Sequence, residues 1–305
     1  MDRQPLVSIV IPTYNRACDL GRALASVVAQ TYCAWEALIV DNHSTDDTVE
    51  VVNRFNDSRI KLLSIHNDGV IAASRNLGIT HASGEYVAFL DSDDWWRPEK
   101  LAQSVNALEQ GADLVYHGMF LATRPGQRWF WRRARSRNLK SPVFRDLIAN
   151  GTTLNTSSVV ARRKVMQAIN GFSEDQSLIT AEDFDAWLRA AKITDRFVRI
   201  PRTLGYYWAG GGNMSGPRRT LLTIGTLESR YATAIRGVNA ESEVYWIDYG
   251  RGRAHYRLGS YAAAKRAFAL VRWRRSPISI YVKSRWMLLL INLHLHSQKS
   301  GAPCA

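Results

Sequence analysis

Three carboxylates, Asp91, Asp93 and Asp94, fall within four residues of one another in the stretch from Gly84 to Leu101. Like charges at that spacing repel unless a cation or hydrogen-bond donors neutralise them, and an Asp-Ser-Asp arrangement through Ser92 offers the hard oxygen ligands that suit Mg²⁺ or Mn²⁺. A second acidic group, Glu182, Asp183 and Asp185, opens the helical pattern from Thr180 to Ala191, whose Phe184, Trp187, Leu188 and Ala191 share one face. Both groups also have purely local readings. The first is an acidic turn ahead of the helix that Pro98 opens, and the second is a set of acids stabilised by a helix dipole.

The elements that must position these groups follow from periodicity. Tyr86 to Leu90 is an apolar run that reads as a buried strand with Asp91 and Asp93 at its carboxyl end. Leu6 to Ile11 (ended by Pro12), Trp35 to Val40 and Ile60 to Ile65 read as three further strands. Helical patterns follow at Ala17 to Gln30, from the Asp41–Asp47 cluster to about Phe55, and at Val70 to His81. Such alternation predicts βα units, hence an α/β fold with a mostly parallel central sheet flanked by helices. The loops after the strands carry Pro12, Thr13, Tyr14 and Asn15, then Asp41, then Asn67, Asp68 and Gly69. All should open on the sheet edge that holds Asp91, where open α/β sheets bind ligands. Taken singly these are turn or cap residues; together they describe a cleft. No Gly-x-Gly-x-x-Gly follows the first strand and no Gly-x-x-x-x-Gly-Lys-Ser/Thr occurs, which argues against a dinucleotide cofactor and a P-loop.

After Gly111 the alternation becomes irregular. A strand near Asp113 to Leu121 precedes Trp129-Phe-Trp131, set among arginines; it reads as a hairpin whose aromatics lie on the core, or as a surface that stacks on a sugar or enters a membrane interface. Asn213, Met214 and Ser215 lie in the glycine-rich loop 210–216, a linker or a lid over substrate. From Arg218 the chain reads as helical and basic. Ala254 to Phe268 resembles one tetratricopeptide-type helix hairpin, and Ile278 to His294 is either a buried helix or an interfacial one.

The chain has 305 residues, 46% of them hydrophobic, enough for one large domain or two modest ones. The absence of a long apolar run and of signal-peptide character at the start leads to the expectation of a cytosolic protein, with the inner face of the cell membrane as a second location its charge allows. Cys18, Cys33 and Cys304 form neither a paired framework nor a metal-ligand cluster. The net charge of +13 is uneven: residues 217–305 hold fifteen Lys/Arg against four Asp/Glu, and residues 124–145 hold eight and no acid. No nucleic-acid module accompanies them, so nucleic acid is not the expected partner, and an anionic membrane or a phosphate-bearing ligand is.

Val7 to Arg16, Val40 to Thr48, Ala73 to Ile79, Gly84 to Asp94 and Ala181 to Asp183 resemble, in that order, the motifs of family 2 inverting glycosyltransferases with the GT-A fold. The resemblance covers residues 6 to about 216. It implies a GT-A domain over 1–216, with a nucleotide-sugar half (1–110) and an acceptor-side half (111–216), followed by a basic helical extension over 217–305. It implies that Thr13, Tyr14 and Asp41 hold the base of a UDP-type donor, that Arg75 approaches the diphosphate, and that Asp91 and Ser92 lie by the ribose and sugar. It implies further that Asp93 binds a divalent metal (Mn²⁺ or Mg²⁺) and that Asp183 is the general base, with Glu182 beside it. The acceptor would be a glycan or a polyprenyl-linked glycan. Asn42 departs from the acidic pair common at that point in the family and leaves Asp41 as the only carboxylate there. A non-catalytic nucleotide-sugar or glycan binder on the same fold is the alternative.

Overall fold

The computed structural model describes residues 4–124, 126–127, 129–134, 136–211, 216–239 and 244–300. It divides into two compact units, one made of Met1–Val143, Thr153–Gln176 and Glu182–Asn213, the other of Phe144–Thr152, Ser177–Ala181 and Met214–Ala305.

The first unit opens with β1 (Val7–Thr13), α1 (Ala17–Val28), β2 (Trp35–Asp41), α2 (Thr48–Arg54), β3 (Ile60–Ser64), α3 (Ile71–His81) and β4 (Tyr86–Phe89). These four strands pair in parallel in the order β3-β2-β1-β4, as the alternation predicts. Every residue of β1, β2 and β4 is buried, which is why those strands are predominantly apolar and lack an alternation of apolar and exposed polar residues. The strand order reverses between β1 and β4, so the loops after both open at the switch point of the sheet.

Pro12 does not end β1; the strand runs through it, with Pro12 in register with Val40. Thr13 carbonyl accepts from the Asn42 amide on the β2 side, so Pro12, one residue back, turns its missing donor toward β4. On that side the last ladder bond is from the Leu90 amide to the Val10 carbonyl at 3.1 Å, and the pairing of β1 with β4 ends where Pro12 has no N–H to donate.

The unit continues with β5 (Trp95–Trp96), α4 (Lys100–Glu109), β6 (Leu114–Ala122) and β7 (Arg133–Ala134). Of the next elements, α5 (Val143–Asn150) falls almost wholly in the second unit, while β8 (Val160–Arg162), α6 (Arg163–Ala168), α7 (Glu182–Ala191) and β9 (Phe197–Trp208) complete the first. Here the sheet becomes mixed: β8 is antiparallel to β4 and to β6, whereas β9 runs parallel to β6. β5 pairs with β9 and so ties the residues just after the Asp91–Asp94 turn into the sheet. One core cluster joins Ile9, Ile11, Leu24, Trp35, Ile39, Tyr86, Leu101 and Val115 across β1, β2, β4, α1, α4 and β6.

In the second unit α8 (Pro217–Arg230), α9 (Ala232–Asn239), α10 (Tyr245–Arg257), α11 (Tyr261–Leu270) and α12 (Ile278–Ser300) follow one another. α10 and α11 form the helix hairpin read from the sequence. A side chain at Gly252 would come within 2.7 Å of the Phe268 ring, so glycine is what lets the two helices meet. Phe268, Ala264 and Ile291 make a small core there, with Tyr249, Met287 and Leu288 packed on it.

Candidate active site

The first acidic group sits where β4 leaves the sheet. The Asp91 amide donates to Ser157 Oγ at 3.1 Å, and its Oδ1 accepts from Arg75 Nη2 at 2.7 Å. Arg75 comes from α3, which lies so close on β1 that a Cβ at Gly78 would be 2.4 Å from Val10 Cγ1. The other guanidinium nitrogen, Nη1, donates to Glu182 Oε1 at 2.7 Å, and Phe172 covers the group with its ring centroid 5.3 Å away. Arg75 is buried, and the adjacent Asp91, Glu182 and Asp183 hold its proton more firmly than usual against the desolvation that opposes it. The resemblance implies Arg75 at a diphosphate; both of its terminal nitrogens are in fact engaged by carboxylates.

Asp183, next in sequence to Glu182, faces differently. Its Oδ2 accepts from Thr156 Oγ1 at 3.0 Å and its Oδ1 from the Phe184 amide at 2.6 Å. It keeps some solvent exposure, whereas Glu182 is buried. Desolvation, followed by the charge of Glu182, pushes the Asp183 carboxyl up to about 6, while Arg75 pulls the other way. Thr156 and Ser157, adjacent in a 3-10 turn that Asn155 caps, thus hold Asp183 with one side chain and Asp91 with the next. No motif marks these residues in the sequence.

Asp93 and Asp94 divide by burial. Asp94 is fully buried and its Oδ1 accepts from the Trp208 amide at 2.8 Å; burial and then the Asp93 and Asp91 charges push its carboxyl well up. Asp93 remains partly open. Burial, then Asp91, raises its carboxyl to about 6, with Arg16 opposing from 3.7 Å. Arg22 donates to the Asp93 carbonyl at 2.8 Å and lies over the Trp95 ring at 4.2 Å. Arg22, in α1, is a contribution the motif reading missed, and Arg16 closes the first motif without having been given a role. Ser92 is buried between the two acids.

The loops after β1 and β2 are one structure. Thr13 pairs with Asp41, the Asn15 amide donates to Ser44 Oγ at 2.8 Å, and the Thr45 amide donates to Asn15 Oδ1 at 2.7 Å. Asn15 adopts φ 50°, a backbone state asparagine tolerates. The Asp41 carboxylate accepts from Ser44, at 2.5 Å from its hydroxyl and 3.1 Å from its amide, so it organises its own loop. Thr13 Oγ1 is buried with no hydrogen-bond partner among the described residues, while Tyr14 is 56% exposed. The Asn67 amide donates to Asn42 Oδ1 at 2.9 Å, and Asn67 Oδ1 accepts from Gly69; Asp68 is exposed. His43 and His66 stack here with centroids 3.6 Å apart, an aromatic pair the sequence does not flag because the two lie in different loops.

The reading of Trp129 and Trp131 as core residues is corrected. They stack on each other and are 74% and 85% exposed, while Phe130, between them, packs against Phe120 and Tyr206. Phe130 packs on Tyr206, which stacks on Trp95 with centroids 5.0 Å apart. An aromatic wall therefore runs from the Asp93 turn to the exposed tryptophans. Asn213, Met214 and Ser215 lie outside the described residues.

A parallel β3-β2-β1-β4 half-sheet, with carboxylates at its switch point and a mixed second half, defines the GT-A class of α/β domain. The family described as Glycosyl transferase family 2 matches residues 8–169, more than half of the chain, and the chain belongs to that family. Over 103 residues it is 43% identical to the UDP-Glc:alpha-D-GlcNAc-diphosphoundecaprenol beta-1,3-glucosyltransferase WfgD of Escherichia coli, covering 34% of this chain and 41% of that one. It spans less than half the length of the curated relatives it matches first. Among solved structures, TarS 1-349 of S. aureus in complex with UDP-GlcNAc superposes with TM-score 0.58 at 18% identity, over 93% of this chain and 88% of that one. The mannosyltransferase PcManGT of Pyrobaculum calidifontis, in complex with GDP-Man and Mn2+, gives TM-score 0.60 at 20% identity, over 96% and 87%. At those identities the likeness is one of fold.

Proposed function

We propose that the chain transfers a sugar, with inversion, from a nucleoside-diphosphate sugar to a hydroxyl of a glycan carried on a lipid diphosphate. The observation that carries this reading is the division of labour between Glu182 and Asp183. Glu182 is spent on Arg75, whereas Asp183 is partly open, held by a neutral hydroxyl, and raised toward neutrality. A general base works best with a proton affinity near the working pH, and Asp183 has it. Asp183 takes the proton of the acceptor hydroxyl as its oxygen attacks the anomeric carbon; the anomeric bond to the diphosphate breaks, and the nucleoside diphosphate leaves.

A divalent cation is supported by the donor chemistry of the site. Asp93 offers hard carboxylate oxygens; burial and then the neighbouring charge of Asp91 raise its proton affinity, and a dication would relieve that repulsion. When bound, the ion offsets the negative charge that grows on the departing diphosphate. Thr13, Tyr14 and Asp41 would bracket the base, with the unpartnered Thr13 hydroxyl as a polar contact. UDP as the nucleotide rests on the names of WfgD and of the TarS complex. A diphosphoundecaprenol glycan as the acceptor class rests on the names of WfgD and of WfaP, also of Escherichia coli. Trp129 and Trp131 would provide the flat apolar surface for an acceptor sugar, and an anionic membrane is where such an acceptor is met.

The test is release of nucleoside diphosphate from a panel of UDP- and GDP-sugars with Mn²⁺ or Mg²⁺, using wild type and Asp93→Ala. Metal-dependent release by wild type that the variant loses is expected. Release by neither protein from any donor overturns the reading.

A further inference from the structure

The last helix carries two apolar faces. Ser284 and Ile291 are buried, with Met287 and Leu288 packed beside Ile291 on the Phe268 core of α11. On the other side Ile278, Val282, Trp286, Leu289 and Leu293 are 62, 57, 60, 48 and 59% exposed. At 3.6 residues per turn their spacing places all five within an arc of about 80°, in a stripe about 22 Å long. Isolated exposed apolar residues are ordinary; five in line on one helix face are not. Trp273, 55% exposed, stands at the start of this helix with its ring edge-on to Tyr281.

Charge decides what covers the stripe. Residues 249–305 contain eleven Lys/Arg and no Asp or Glu. Two copies of such a surface repel, so a second copy of this chain is disfavoured, and an anionic partner is favoured. Not every basic group is available. Arg285 donates to the Phe268 and Val271 carbonyls at 2.7 and 2.9 Å and closes the end of α11. Arg274 and Lys283, by contrast, are exposed, one ahead of the stripe and one at its border. An aliphatic stripe with tryptophans and basic flanks is the pattern of a helix lying in the plane of an anionic bilayer. No helix among the described residues is long and apolar enough to cross one.

We propose that the outer face of α12 docks the protein on anionic phospholipid, with Ile278, Val282, Trp286, Leu289 and Leu293 in the acyl boundary and Arg274 and Lys283 at the head groups. The proposed function gives this docking its purpose, since a lipid-borne acceptor is met at that surface. The geometry stands apart from that reading. The test uses neither donor nor acceptor, so its failure leaves the transferase reading standing, and loss of transferase activity leaves the docking standing.

The measurement is co-sedimentation of the full chain with phosphatidylcholine vesicles, with and without about 30% phosphatidylglycerol, at low and high salt. Wild type should sediment only with the anionic vesicles, and less at high salt. Trp286→Glu/Leu289→Glu should weaken this by about tenfold or more with an unchanged melting temperature. Should that variant melt early, Arg274→Gln/Lys283→Gln decides: weaker binding to anionic vesicles at low salt supports the proposal, and unchanged binding overturns it. Wild type that ignores both vesicles, or a folded Trp286→Glu/Leu289→Glu variant that binds as wild type does, also overturns it. A wild-type dimer in sedimentation velocity that this variant dissociates, with no vesicle binding, would assign the face to a second copy.

Discussion

Arg75 Nη1 lies 2.7 Å from Glu182 Oε1, although 107 residues separate the two in the chain. Its Nη2 holds Asp91 at the same distance, so one buried guanidinium joins the turn after β4 to the start of α7. Removing one partner of a buried ion pair leaves charges unpaired in a poorly solvated place. Arg75→Met should therefore lower the free energy of unfolding by about 3–5 kcal/mol. Arg75→Lys should recover only part, because an ammonium lacks the fork that reaches two carboxylates. Urea denaturation measures both; a loss under about 1 kcal/mol for Arg75→Met would mean the bridge is incidental.

The raised Asp183 carboxyl has consequences for rate and for stability. As a base it must be ionised, so kcat/KM should rise with pH through about 6 and then level off. For stability the sign is opposite. A carboxyl whose folded pKa lies above its ordinary 3.8 binds more protons folded than unfolded between those values. Its contribution is full below 3.8 and is lost as pH rises to about 6. Asp183→Asn should then flatten the fall in melting temperature over that window, and melt no lower than wild type at pH 8. Scanning calorimetry across pH checks this, and an unchanged slope would contradict the assignment of the shift to Asp183.

Much of the first half of the fold was legible because β1, β2 and β4 are buried on both faces and α1 shows one apolar stripe. The antiparallel pairings of β8 were not legible, since a three-residue strand leaves no periodicity to read. At the site the residue types were legible and their partners were not. Asp91, Asp93 and Asp183 stand out by charge, whereas Arg75 belongs to a helix whose sequence gives no sign of what lies 16 and 107 residues away. The exposure of Trp129 and Trp131 turned on Phe130, the one aromatic of the three that finds partners, Phe120 and Tyr206, on strands β6 and β9.

Lys100 is fully buried, with Nζ over the Trp96 ring at 3.6 Å and no hydrogen-bond partner among the described residues. Desolvation holds its proton affinity well below the usual lysine value. A group depressed in this way binds fewer protons folded than unfolded, so it costs stability at neutral pH, and the cost shrinks as pH rises toward 10. Lys100→Met, which keeps the volume, should raise the free energy of unfolding by about 1–4 kcal/mol at pH 7. An equal or lower melting temperature would show that the ammonium is accommodated.

For the aromatic wall, Trp129→Ala/Trp131→Ala should leave nucleotide affinity and the melting temperature unchanged, since both rings are exposed. It should raise KM for a glycan acceptor by about tenfold, the scale of one or two lost stacking contacts. Unchanged acceptor kinetics would remove these residues from the site.

The most direct test is a comparison of Asp183→Asn with Glu182→Gln in acceptor-dependent release of nucleoside diphosphate, with donor affinity and melting temperature measured on the same preparations. Asp183→Asn should lose about 10²–10⁴-fold in kcat with donor affinity unchanged. Glu182→Gln, which keeps an acceptor for Arg75 but removes the charge that balances its buried cation, should melt lower yet keep most of its turnover per folded molecule. A fully active Asp183→Asn beside a folded, inactive Glu182→Gln would contradict the account and move the base to Glu182.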